Sequence, residues 1–173
     1  DDWLREVLHQ AEAAGYYGIK VTVDSPVYGR RERDLVNRFS SRSTPDRPAI
    51  AGTSEVPQAE HQAAFDWARL DRLRAMTKLP LGLKGVMHPD DAVRAVNSGI
   101  DCIYVSNHGG RQLDCAPATI DQLPIIAAAV AGRAEIVVDS GIMRGTDVIK
   151  CFALGASAVG LGKLQGYALA AGG

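Results

Sequence analysis

The sequence predicts a parallel α/β fold. Three observations carry that prediction: five short apolar runs rich in β-branched residues, helical periodicity in the stretches between them, and polar residues gathered where each run ends. The residues at those ends are Asp24, Lys84, Ser106 to Arg111, Asp139 and Lys163. In an open doubly wound sheet they would spread along a crevice, whereas in a (β/α)₈ barrel they share one rim. The barrel brings them together, although such a barrel has eight strands and ~250 residues, and only five strands are predicted here.

Taken in order, Trp3, Leu4, Val7, Leu8, Ala11 and Ala14 lie at helical spacing, and Gly15 ends the helix. Residues 19–24 form a β-branched strand closed by Ser25-Pro26, where proline removes a backbone donor. The stretch 28–42 is basic and reads as a solvated helix face rich in arginine, and 40–58, rich in Ser, Thr, Pro and Gly, reads as a long loop. Apolar residues from Ala63 to Met76 mark a helix that stops before Pro80. Residues 81–86 make a strand that contains a lysine, Lys84, which a buried strand tolerates only with a partner. Pro89-Asp90-Asp91 opens a helix with acidic residues where the dipole favours them, and Gly99 follows its end. A strand over 102–105, a helix over 117–130, a strand over 135–139, a helix over 146–154 and a strand over 158–162 complete the rhythm, and Ala170 to Gly173 read as the start of another helix.

The totals fit one domain of 173 residues, 46% hydrophobic and 23% charged. The formal net charge is −1, from 19 basic and 20 acidic side chains, so nothing points to nucleic acid or an anionic membrane as a partner. Small molecules are the expected partners. Cys102, Cys115 and Cys151 are odd in number and lack C-x-x-C spacing, which argues against a disulfide framework and a zinc site and favours a reducing, cytoplasmic setting. No apolar run reaches the ~20 residues that span a bilayer, and the N-terminus does not read as a signal peptide. The first residue is Asp rather than Met, which reads as a processed piece or a fragment.

The chemistry concentrates in Tyr104-Val105-Ser106-Asn107-His108-Gly109-Gly110-Arg111-Gln112-Leu113-Asp114. Two glycines let the backbone turn sharply and approach a ligand. A histidine and an arginine three apart at a strand end supply a proton acceptor and an anion clamp. The plain alternative is a surface turn that contains a histidine.

This segment, together with Thr22-Val23-Asp24-Ser25-Pro26, Gly29-Arg30-Arg31-Glu32, Leu83-Lys84-Gly85-Val86 and Arg144-Gly145-Thr146-Asp147-Val148, in this order and spacing, resembles the FMN-dependent α-hydroxy acid oxidases and dehydrogenases. The resemblance covers nearly the whole chain. It implies a TIM (β/α)₈ barrel, of which residues 1–173 represent strands four to eight as one partial domain, without the N-terminal strands and the C-terminal helix. It also implies FMN as cofactor and a small 2-hydroxy acid as substrate, and it is compatible with a homo-oligomer. The electron acceptor stays open among oxygen, a quinone and a cytochrome.

By the same resemblance, His108 is the active-site base and Asp24 the carboxylate that pairs with it, while Arg111 and Arg31 hold the substrate carboxylate, for which a guanidinium fork is well shaped. Lys84 matches the lysine beside the flavin ring. Thr22 and Ser106 match flavin-contacting positions, Asp139 and Gly141 the segment along the ribityl chain and phosphate, and Gly162 with Lys163 the last phosphate-binding turn. The pattern departs in two places. Met143 stands where the family commonly has an arginine in Asp-Gly-Gly-Val/Ile-Arg-Arg-Gly, and Lys163 replaces an arginine after the last strand, so a bidentate phosphate donor becomes a point charge. Two other readings stand beside oxidation of a hydroxy acid: an FMN barrel isomerase of the isopentenyl diphosphate type, and a truncated remnant without catalysis.

Overall fold

A computed structural model describes residues 2–26, 29, 31–38 and 64–173. The elements follow one another as α1 (Asp2–Ala13), β1 (Ile19–Thr22), α2 (Glu32–Val36), α3 (Trp67–Met76), β2 (Leu81–Val86), α4 (Pro89–Asn97), β3 (Cys102–Val105), α5 (Thr119–Val130), β4 (Glu135–Val138), α6 (Gly145–Ala153), β5 (Ala158–Val159) and α7 (Lys163–Gly172). The five strands form one sheet in the order β1-β2-β3-β4-β5, every pair parallel. Consecutive strands are therefore neighbours, the arrangement of an arc of a βα barrel rather than of a doubly wound sheet, in which the order reverses.

Side chains alternate across the sheet. Leu81, Leu83, Ile103, Val105, Ile136 and Val138 are buried and belong to the same core as Leu70 and Leu73 of α3, Ala92 and Ala95 of α4, and Leu123, Ile126 and Val130 of α5. Intervening residues such as Lys84 and Tyr104, aligned with each other in the β2–β3 register, occupy the opposite face, where the ammonium groups of Lys20 and Lys84 lie 4.9 and 5.4 Å from the Tyr104 ring centre. A cation held over an aromatic face is attracted by the ring quadrupole. This face therefore keeps its charges without the apolar packing of the other.

The helix boundaries have local causes. Asp66 caps α3 by accepting from the Arg69 N–H at 2.8 Å, so this helix begins at Trp67 and leaves Phe65 outside it. The α6 terminus is held by Asp147, whose carboxylate accepts from the N–H groups of Arg144 and Met143 at 3.0 and 3.1 Å. Those bonds hold its pKa below the ordinary aspartate value of 3.8.

Besides the later start of α3, three expected elements differ from the structure. The strand predicted over 158–162 pairs only at Ala158–Val159, with one further ladder bond from the Gly160 N–H to the Val138 carbonyl. The strand predicted over 19–24 pairs over Ile19–Thr22, and the Val23 N–H adds a last bond to the Lys84 carbonyl. The helix expected only to begin at Ala170 starts at Lys163. Of the basic stretch 28–42, the described part forms the five-residue α2, and the loop predicted over 40–58 lies outside the described residues.

Candidate active site

The parallel strands put their C-terminal ends on one side, and the polar residues cluster there. His108 lies three residues beyond β3, in the left-handed region at φ 55, a conformation costing a non-glycine residue about 1–3 kcal/mol and kept only where the surroundings fix it. Those surroundings are specific. Its backbone N–H donates to the Ser106 Oγ at 3.2 Å, and the next N–H, that of Gly109, donates to the Ser140 Oγ at 2.9 Å. Its Nδ1 lies 2.6 Å from the Asp24 Oδ2, joining loops 84 residues apart in sequence. The other Asp24 carboxylate oxygen is buried without a hydrogen-bond partner among the described residues.

Lys84 is buried, and its Nζ donates to the Ser106 Oγ at 2.9 Å and stands 3.8 Å from the Asp139 Oδ2. Asp139 in turn accepts from the Ser140 hydroxyl at 2.9 Å. The polar groups thus close a ring that runs from Lys84 through Ser106 to the His108 and Gly109 amides, and back through Ser140 and Asp139. A buried lysine is tolerated because this ring satisfies its charge. Tyr104 sits beside it, its phenol pushed up to about 12 by burial and by the neighbouring Asp139 carboxylate.

The ring borders a cleft of about 950 Å³ whose walls include Lys84, His108, Arg111, Asp139, Gly141 and Lys163. Gly162 also lines it, and at both Gly141 and Gly162 an added Cβ would meet nothing within 4 Å, so backbone is open to the cleft at that end. Lys163 donates from Nζ to the Gly109 carbonyl at 3.1 Å, and Lys150, 4.0 Å from the Asp147 carboxylate, also lines the cleft. The cleft wall thus combines the buried Lys84 with the exposed Lys163 and Lys150 and with open glycine backbone, a lining that suits an anionic ligand. Met143, half exposed on the cleft wall, supplies no charge there.

Not every candidate gathers at this point. Ser106 is fully buried beneath the cleft and acts through its hydroxyl. Thr22 is exposed at the end of β1, level with Lys84 in register. Arg31 is exposed at the head of α2 and is not part of the cleft wall. Sequence reasoning assigned no role to Tyr104, Gln112 or Ser140. Tyr104 and Gln112 stood inside the quoted segment 104–114 and Ser140 lies between Asp139 and Gly141, but a neutral polar side chain announces no partner until the fold supplies one.

Consecutive parallel strands with polar groups gathered at their C-terminal ends define an α/β-barrel class, and comparison with known proteins gives the family. The sequence matches the family model described as FMN-dependent dehydrogenase over residues 1–173, and the chain belongs to that family. It is 44% identical to an L-lactate oxidase of Nostoc sp., over 98% of this chain and 50% of the relative, and 43% identical to a peroxisomal (S)-2-hydroxyacid oxidase of Arabidopsis thaliana with the same coverage. Among solved structures, a mandelate oxidase with (S)-2-phenylpropionate superposes with a TM-score of 0.80 at 43% identity, covering 98% of this chain and 48% of that one. A mandelate oxidase variant with a C4a-OH-FMN adduct gives 0.81 at 43% identity and the same coverage. The chain spans about half the length of the relatives it matches. The fold is accordingly that of a TIM barrel represented by five parallel strands.

Proposed function

We propose that this protein takes part in the FMN-dependent oxidation of a 2-hydroxy acid to a 2-oxo acid, with His108 as the base. The observation that carries the reading is the 2.6 Å pair between the His108 Nδ1 and Asp24, beside a buried Lys84 on the same rim. With Nδ1–H donated to the carboxylate, the Nε2 lone pair is free to accept a proton, and Asp24 stabilises the imidazolium that results. Arg111, on the cleft wall, binds the substrate carboxylate and so orients its hydroxyl-bearing carbon, and Arg31, outside that wall, joins it from the loop after β1.

FMN, when bound, supplies the acceptor for the two electrons that leave the substrate. Lys84 and Asp139 would hold its ring and ribityl parts, with Ser106 fixing the Lys84 ammonium from beneath and Thr22 level with Lys84 at the end of β1, and Gly141, Gly162 and Lys163 would hold its phosphate. The fit rests on the buried ammonium of Lys84 and the open backbone at Gly141 and Gly162. The names of the relatives, lactate oxidase, hydroxyacid oxidase and mandelate oxidase, favour oxidation over isomerisation. No helix among the described residues is long and apolar enough to cross a membrane.

The test is to add FMN to the purified protein and then lactate, glycolate or mandelate under anaerobic conditions. Flavin absorbance should appear with FMN and bleach with at least one of the acids. A protein that stays colourless in FMN supports the remnant without catalysis instead. The His108→Gln variant should keep FMN and lose bleaching, and substantial bleaching by it removes His108 from the role of base.

A further inference from the structure

We propose that Gln112 is a positioning residue that sets the spacing of the carboxylate clamp, a role resting on the oxidoreductase reading above. Its carboxamide joins two loops far apart in sequence. Nε2 donates to the Ser25 Oγ at 2.8 Å, and Oε1 accepts from the Gly29 N–H at 2.9 Å. These partners lie 87 and 83 residues before it. An amide suits the task because it donates and accepts at once, and the fixed donor at Gly29 leaves one orientation consistent with both bonds.

What each loop carries gives the tie its meaning. The loop after β1 holds Asp24 next to Ser25, and Arg31 two residues past Gly29. The loop after β3 holds His108 and Arg111, the residue directly before Gln112. The two backbones are in contact here, since a Cβ added at Gly29 would run into the Arg111 carbonyl. Ser25 is buried, so its hydroxyl depends on a protein partner. The His108–Asp24 bond already fixes one end of the seam, and Gln112 fixes the end where both arginines branch off. Loss of the tie therefore disturbs the grip on the carboxylate more than the proton-accepting pair.

The experiment compares Gln112→Met, which keeps the length and removes both bonds, with Gln112→Glu, in which the carboxylate still accepts from Gly29 and the Ser25 hydroxyl turns to donate. In the FMN-loaded protein, Gln112→Met should weaken the binding of pyruvate, followed by flavin absorbance, and raise KM for lactate by about tenfold or more. Its kcat should stay within about threefold of the parent, the effect expected of a displaced binding group rather than a lost base. Gln112→Glu should restore both readings to within about threefold. Pyruvate binding by Gln112→Met equal to the parent, a fall in Gln112→Glu as deep as in Gln112→Met, or a loss confined to kcat would each overturn the proposal. If Gln112→Met does not fold, Ser25→Ala replaces it: weaker pyruvate binding with unchanged kcat is expected, and unchanged binding overturns it. Hydrogen exchange at the Gly29 amide needs neither FMN nor substrate. It should quicken in Gln112→Met and stay slow in Gln112→Glu, and exchange unaffected by Gln112→Met disproves the tie. A parent protein that binds neither FMN nor pyruvate refutes the oxidoreductase reading instead.

Discussion

Tyr104 and Gly160 show how single residues constrain one another across the sheet. The Tyr104 hydroxyl occupies the space where a Cβ at Gly160 would stand, and Asp139 crowds the same place at 3.1 Å. Gly160→Ala should therefore cost about 1–3 kcal/mol through overpacking, and the cost should shrink in a Tyr104→Phe background, where the hydroxyl is gone. Urea unfolding of the four proteins of this double-mutant cycle measures that coupling, and simple additivity would contradict it. Tyr104 also predicts a pH effect. Its folded-state pKa, about 12 against an ordinary 10.0, lies above the unfolded value. The contribution to stability is then complete below pH 10 and disappears as pH climbs toward 12. The parent should accordingly lose thermal stability relative to Tyr104→Phe over that window, and curves that stay parallel would exclude it.

At the level of the element, α6 depends on one side chain for its start. Asp147 accepts from two backbone N–H groups that would otherwise lack partners, and its pKa is depressed by those bonds. A depressed carboxylate contributes above the unfolded value and loses that contribution as pH falls through the folded one. Asp147→Ala should lower Tm at pH 7, with the difference from the parent vanishing as pH drops below 3.8. Thermal scans at pH 7 and pH 3 decide it. Elements of this kind were legible in the sequence, because helical spacing and β-branched runs are local signals. Their ends were less so. The strand at 158–162 stops early because Gly160, after one last ladder bond, leaves the sheet beneath the Tyr104 hydroxyl, a neighbour 56 residues earlier that no local window contains. Asp66 could have located the start of α3 as an N-cap, but the apolar run from Ala63 masked it.

For the whole molecule, one apolar layer between sheet and helices supplies the stability, and its centre is Ile103, fully buried on β3. Ile103→Ala should cost about 2–5 kcal/mol in urea unfolding. The rim was legible in outline because a parallel fold sends every strand end the same way, so listing the polar residues at those ends recovered Asp24, Lys84, His108 and Asp139. Which of them touch was legible only through resemblance. The ties made by Gln112 and Ser140 were not, since a carboxamide or hydroxyl matches so many partners that only three-dimensional placement selects one.

The sheet's order also has a consequence in time. The β2–β3, β3–β4 and β4–β5 pairs join residues 20, 33 and 21 positions apart, whereas Ile19 meets Leu81 across 62. Closing that longer stretch costs about 1 kcal/mol more entropy than closing the 20-residue one. The strands β2 to β5 are thus expected to assemble first and β1 to dock last. In pulse-labelled refolding, the amides of Ile103 and Val105 should gain protection before that of Val21, and the reverse order would contradict this. During synthesis, Asp24 leaves the ribosome 84 residues ahead of His108, about 4–17 s at ordinary elongation rates. The first half of the pair at the heart of the site waits until the second half has been made.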